Sequence, residues 1–188
     1  MVRKLFVMGL VAAVSYVVIA APTAPVSAST VSDGGGTVSH CVVDVMATMV
    51  DSELVLSKPR CYGTFSEAML DASDGRLRLP AGTPGSIVFS DSRVGVTVAS
   101  FTLGIHYDGY GGSGSSISVV GSSCTGGWWN TSGFWNNRIS SSFNGCYRLK
   151  HHDGPNRTGG FESTIGSGSI HDLTFYNNRA ESVSYWSS

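Results

Sequence analysis

The hexapeptide Asn136-Asn137-Arg138-Ile139-Ser140-Ser141 returns in altered form as Asn177-Asn178-Arg179-Ala180-Glu181-Ser182. The copies start 41 residues apart, and each follows an aromatic residue, Trp135 or Tyr176. That spacing is the length of one compact β-sheet unit, so the second half of the chain is constrained to fold as two related units. Both copies are rich in oxygen donors, which points to a hard-cation site built from the pair.

Few charges, 24 glycines and short apolar runs broken by turn residues favour an all-β chain around this repeat. Residues 1–28 read as a secretory signal peptide. Arg3 and Lys4 precede a nearly uncharged run from Leu5 to Ala21, and the small residues Ser27 and Ala28 suit cleavage after Ala28. The mature protein is therefore expected to be secreted, with no membrane association after signal cleavage. Without Arg3 and Lys4 the chain keeps ten basic residues against thirteen acidic ones, with no run of either sign. Nucleic acid and anionic membranes thus lose their main electrostatic attraction.

Four cysteines, Cys41, Cys61, Cys124 and Cys146, in an exported chain predict two disulfides. Three pairings are possible. Local pairing, Cys41 with Cys61 and Cys124 with Cys146, is favoured because each pair encloses roughly twenty residues within one half of the molecule.

The expected organisation is a small disulfide-linked α+β segment over 29–79, a linker and lead-in strand over 80–103, and the principal domain over 104–188. A Gly-rich spacer, 33–36, precedes β-like runs at Val42 to Thr48 and Glu53 to Ser57. Thr64 and Glu67 form a capping box for a helix whose apolar stripe is Phe65, Ala68, Met69 and Ala72, ended by Gly75. Pro80 to Gly85 reads as a hinge, and Gly95 to Ser100 as a further strand. Beyond it, Tyr110-Gly111-Gly112 suggests a fold-back turn, with Gly159-Gly160-Phe161 in the corresponding place of the second unit.

Residues 104–186 resemble a microbial βγ-crystallin domain, whose paired Greek keys each carry a calcium signature of the form [N/D][N/D]xx[S/T]S. Asn136 to Ser141 fits it throughout, and Asn177 to Ser182 fits except that Glu181 stands at the fifth position. The resemblance implies a mainly β fold, two Greek-key motifs forming a sandwich preceded by the small α+β segment. Ile105 stands where the family has an aromatic, with Tyr107 nearby. His152 and Arg157 stand at the aromatic places of the second corner, which is therefore expected to be loosened or reshaped. The resemblance further implies two ions shared between the units. One would take Asn137, the carbonyl of Arg179 and Glu181; the other would take Asn178, the carbonyl of Arg138 and Ser140. With so few formal charges the Ca2+ affinity is expected to be weak, on the order of 10⁻⁴ to 10⁻³ M. Without a metal, the same sextets are good turn formers.

Other chemistry finds less support. No GxSxG elbow or CxxC motif occurs, and catalysis is not expected. His151-His152-Asp153 brings imidazoles and a carboxylate together, but neighbours on a strand face opposite ways and do not chelate one metal. Trp128 and Trp129, neighbours on a strand, would place one ring inside and one outside, where it could stack on a sugar or enter a partner's pocket; the favoured alternative is that both pack within the Greek-key core or cover the Cys124 bridge. The leading expectation is a secreted, non-enzymatic calcium-binding protein. Its rivals are a protein-binding module, such as an inhibitor of an extracellular metalloproteinase presenting the loop 121–127 or the Pro155 loop, and a module for adhesion to cell-wall glycan.

Overall fold

The computed structural model describes residues 37–87 and 98–188. The expected signal peptide, the glycine spacer and the first half of the Gly95 to Ser100 run lie outside the described residues. The end of that run, Val98–Ser100, forms a 3-10 turn, and the strand begins only at Thr102.

Eleven strands and one α-helix make up the described structure. They are β1 (His40–Thr48), β2 (Leu54–Leu56), β3 (Arg60–Tyr62), α1 (Phe65–Ala72), β4 (Thr102–Tyr107), β5 (Ser116–Val120), β6 (Thr125–Asn130), β7 (Ser141–Asn144), β8 (Arg148–His152), β9 (Phe161–Ile165), β10 (Ile170–Asp172) and β11 (Ser182–Trp186). One sheet runs β10-β7-β4-β5-β1, with β2 and β3 both on the free side of β1; the other runs β6-β11-β8-β9. Each repeat thus contributes three strands to one sheet and lends its third strand to the other: β6 pairs with β11, and β10 with β7. The two units are therefore laced together through their backbones.

Side-chain alternation places two cores, one on each face of the first sheet. Leu103, Ile117, Val119, Trp129, Leu149, Val183 and Tyr185 fill the space between the sheets. On the opposite face Ile105, Tyr107 and Phe143 pack under Phe65, Ala68, Met69 and Ala72 of α1, with Leu77, Val98 and Phe101. The order of layers is helix, sheet, sheet. The helix forms as its sequence predicts. Thr64 accepts the N–H of Glu67 while Glu67 reaches back to the Thr64 N–H, and Gly75, at φ 78°, ends it with its N–H on the Leu70 carbonyl.

The leading segment is built into this architecture. β1 pairs in parallel with β5, His40 to Asp44 against Ser116 to Val120, so one sheet crosses the expected boundary at 80–103. Adjacent Val42 and Val43 are both buried, one toward the helix and one toward the second sheet. Pro80 to Gly85 also packs down: Ser66 Oγ donates to the Pro80 carbonyl, and Gly85 is buried where a Cβ would meet the Tyr107 ring. Disulfides join Cys41 to Cys61 across β1 and β3, and Cys124 to Cys146 beside the main core, matching the local pairing.

Candidate functional site

Each unit folds back through a corner, residues 108–115 in the first and 153–160 in the second. Asp108-Gly109 and Asp153-Gly154 open them, 45 residues apart, and Ser113-Gly114 and Thr158-Gly159 close them. Their backbones agree closely. Gly111 lies at φ 62° and ψ 24°, and Asn156 at φ 56° and ψ 34°; Gly112 and Arg157 follow at φ 77° and 61°. Asn tolerates the left-handed region because its short amide bonds locally. The second corner thus keeps the shape of the first without its aromatic and glycines, and the expected reshaping does not occur. The repeat was legible as Asp-Gly-x-x-x-(Ser/Thr)-Gly rather than in the aromatic positions.

The last serine of each sextet clasps the corner of its own unit. Ser141 Oγ donates to the Gly109 carbonyl at 2.6 Å and accepts the Gly112 N–H at 3.0 Å. Ser182 Oγ donates to the Gly154 carbonyl at 2.7 Å and accepts the Arg157 N–H at 3.0 Å. Both serines are fully buried. Ser141→Ala and Ser182→Ala each strand a donor and an acceptor. Each should cost about 1–3 kcal/mol in urea denaturation, and a loss under about 0.5 kcal/mol would contradict the clasp.

The two sextets face each other. The Asn137 N–H donates to the Ala180 carbonyl at 3.1 Å, and the Asn178 N–H to the Ile139 carbonyl at 3.0 Å. These reciprocal bonds hold both asparagines at nearly the same left-handed conformation, φ 56° and 55°. Their side chains then reach across: Asn137 Nδ2 lies 3.4 Å from Glu181 Oε1, and Ser140 Oγ donates to Asn178 Oδ1 at 3.2 Å. Ser140 Oγ also lies 3.1 Å from the Asp108 carbonyl, which adds a corner oxygen to that side. The structure therefore brings together Asn137 with Glu181 and Asn178 with Ser140. Arg138 and Arg179 follow the two asparagines in these turns. The Arg138 guanidinium lies over the Phe134 ring, and that of Arg179 pairs with Asp153 at 2.9 Å, so both side chains are engaged elsewhere.

The halves are unequal. Asn136 Oδ1 accepts the Thr131 hydroxyl, whereas Asn177 Oδ1 is buried without a partner. Matching backbone bonds, Thr131 N–H to the Glu181 carbonyl and Leu173 N–H to the Ser140 carbonyl, put Leu173 in the place of Thr131. Loss of that hydroxyl orphans the Asn177 oxygen. Among the described residues no group of three or more His, Cys, Asp or Glu converges. Glu181 is the one carboxylate of the sextets, so a cation held here would be bound mainly by neutral oxygens, a donor set suited to a hard ion.

Neither tryptophan presents a ring to solvent, which fits packing of both rings and not an exposed contact ring; Trp128 is 3% and Trp129 6% exposed. Trp129 points into the main core and donates to Tyr185 OH at 2.7 Å. Trp128 points outward, but the β1–β2 hairpin covers it. Its indole N–H donates to the Asp51 carbonyl and its backbone N–H to that of Ser52. Sequence alternation located the two faces correctly; it carried no signal that a distant hairpin would close over one of them.

A buried polar chain also links the sheets. Tyr185 OH lies 2.9 Å from His106 Nε2, and Ser142 Oγ lies 2.7 Å from His106 Nδ1 and 2.9 Å from His151 Nε2. Trp129 can only donate, so the Tyr185 hydroxyl donates to His106 Nε2, His106 Nδ1–H donates to Ser142, and Ser142 donates to His151 Nε2. Burial holds both imidazoles neutral, with His151 lowered to about 3 and His106 well below its ordinary value, the second charge being further opposed by the first. His152 instead faces outward to Ser184, 3.2 Å away, so the adjacent histidines do not converge.

With this geometry, comparison was made with known proteins. No family model, curated protein or solved structure matches the chain.

Proposed function

We propose that this chain is a secreted, non-enzymatic calcium-binding protein with a βγ-crystallin-like sandwich, in which the ion clamps the two units. The observation that carries this reading is the reciprocal approach of the sextets, Asn137 to Glu181 and Asn178 to Ser140, each pair drawing one partner from each unit. The third-strand exchange between sheets supports it, since paired Greek keys follow that path. Two disulfides fit an oxidising, extracellular-type compartment.

Each ion would replace a weak side-chain contact. Asn137 would turn its amide oxygen inward and Glu181 would supply the charge at one site, while Asn178 Oδ1 and Ser140 Oγ would serve the other. Because the donors come from both units, only the folded chain assembles them. Binding would stabilise by about 1.4 kcal/mol for each tenfold excess of free calcium over the dissociation constant. The ion then acts as a folding cofactor rather than a signal.

Calcium titration by calorimetry, with melting curves at matched calcium, tests this reading. Heat of binding and a raised melting temperature are expected, both lost in Asn137→Ala with Asn178→Ala. Glu181→Ala should weaken the first site more than Ser140→Ala weakens the second, because it removes the only formal charge. A folded protein that gives no heat and no thermal shift at millimolar calcium would end the proposal.

A further inference from the structure

The outer face of the second sheet carries a cluster of basic and aromatic side chains. The first sheet has its outer face covered by α1, whereas on the second sheet the corner at Pro155–Arg157 and the β1–β2 hairpin cover Ser182, His152 and Trp128, and among the described residues no helix lies over the far end, where Arg148, Lys150, Phe161 and Trp186 stand. Leu149, His151, Val183 and Tyr185 point inward, so Arg148, Lys150 and Trp186 point out, joined by Phe161 from β9. Lys150 Nζ lies 4.6 Å from the centre of the Phe161 ring and 5.2 Å from that of Trp186, with no carboxylate partner among the described residues. Arg148, half-buried with its Nε enclosed, likewise has no ion pair among the described residues. At the hairpin margin the Arg157 guanidinium lies 5.2 Å from the Trp128 ring and reaches the Asp51 carbonyl.

No outward position of β6, β8, β9 or β11 carries an acid, although the chain as a whole is formally −1. Carboxylates stand only at the edges. Asp153 is engaged by Arg179, and Asp51 and Glu53 belong to the hairpin. The positive cluster is invisible in sequence because its members come from β8 and the second corner and alternate with core residues.

We propose that this face binds an acidic polysaccharide, independently of the calcium reading. A rigid antiparallel sheet sets the cations at fixed spacing for carboxylate, sulfate or phosphate groups along a polymer. Phe161 is 50% exposed even with Lys150 and His152 against its ring, which leaves apolar ring surface for a sugar to pack on, with Trp186 also beside Lys150. The two ring contacts already restrain Lys150, so less side-chain freedom is lost on binding. Aromatic and cationic groups also suit single-stranded nucleic acid. The two disulfides favour an extracellular glycan over that ligand.

Affinity electrophoresis of the full chain in gels containing polygalacturonate, with excess chelator throughout, provides the test, with dextran as the neutral reference. Migration should be retarded by polygalacturonate and not by dextran, and the apparent affinity should fall as salt rises. Arg148→Glu with Lys150→Glu should weaken binding at least tenfold while leaving the melting curve cooperative. Phe161→Ser, at an exposed position, carries the same expectation should the double reversal unfold the chain. The proposal is overturned by absent retardation, by equal retardation in dextran, by variants that bind as the parent does, or by tighter binding to oligodeoxythymidylate.

Discussion

Acidification from pH 7.5 to about 4.5 should strip most of the folding stability from this protein, more than any single surface substitution. His106 and His151 sit fully buried between the sheets, 5.6 Å apart, in a hydrogen-bond chain whose direction Trp129 fixes. Adding a proton to either sets donor against donor and places a charge where little solvates it. Burial depresses their folded values, His151 to about 3 and His106 well below 6.5, while the unfolded chain titrates near 6.5. Between those limits the unfolded state holds more protons, so stability is fully present above about 6.5 and is lost as pH falls toward the folded values. At pH 4.5 the solution is about two pH units below the unfolded value, so keeping His151 neutral costs about 3 kcal/mol, and His106, lowered in the same direction, adds to it. His40 and His152 are both lowered to about 4, chiefly by burial, with Lys150 and Arg157 also opposing a charge on His152; they are less deeply buried than the core pair and add smaller amounts. Denaturation midpoints measured across this range should fall steeply below pH 6.5; a flat profile down to pH 4.5 would show that the core histidines are not held neutral.

Much of the candidate site was legible because its signals are local. The sextets recur with their asparagines and final serines intact, the capping box of α1 lies within four residues, and short loops favoured the observed disulfides. The rest depended on distant contacts. Arg157 takes a left-handed conformation usually left to glycine, because its N–H is held by Ser182 from the following sextet. Trp128 reads as an exposed strand residue until Asp51 and Ser52 arrive from 77 and 76 positions away. The signal for β1 was present but incomplete. Val42 and Val43, buried on opposite faces, mark a strand covered on both sides, yet nothing local names β5 as the neighbour.

That dependence predicts that residues 102–188 will not fold when produced alone, even though they contain both repeats, both sextets and the Cys124–Cys146 disulfide. Ile105 and Tyr107 are 0% exposed and Phe143 is 1% exposed, yet all three sit on the outer face of the first sheet, covered only because α1 and its flanking residues lie over them. At about 1.5–3 kcal/mol for each large apolar side chain, uncovering these three costs at least about 5 kcal/mol, comparable to the whole stability of a small domain. Loss of β1 also bares the edge of β5, and loss of the hairpin bares Trp128. The isolated fragment should therefore bind a hydrophobic dye, melt without a cooperative transition and show poorly dispersed amide spectra, whereas residues 37–188 should behave as one cooperative unit. Ile105→Thr with Phe143→Ser should partly restore solubility to the fragment, because it gives the first sheet the polar outer face that Lys150 and Ser163 already give the second. A native-like spectrum from the unmodified fragment would instead establish the two repeats as an independent domain, with the leading segment an ornament on its surface.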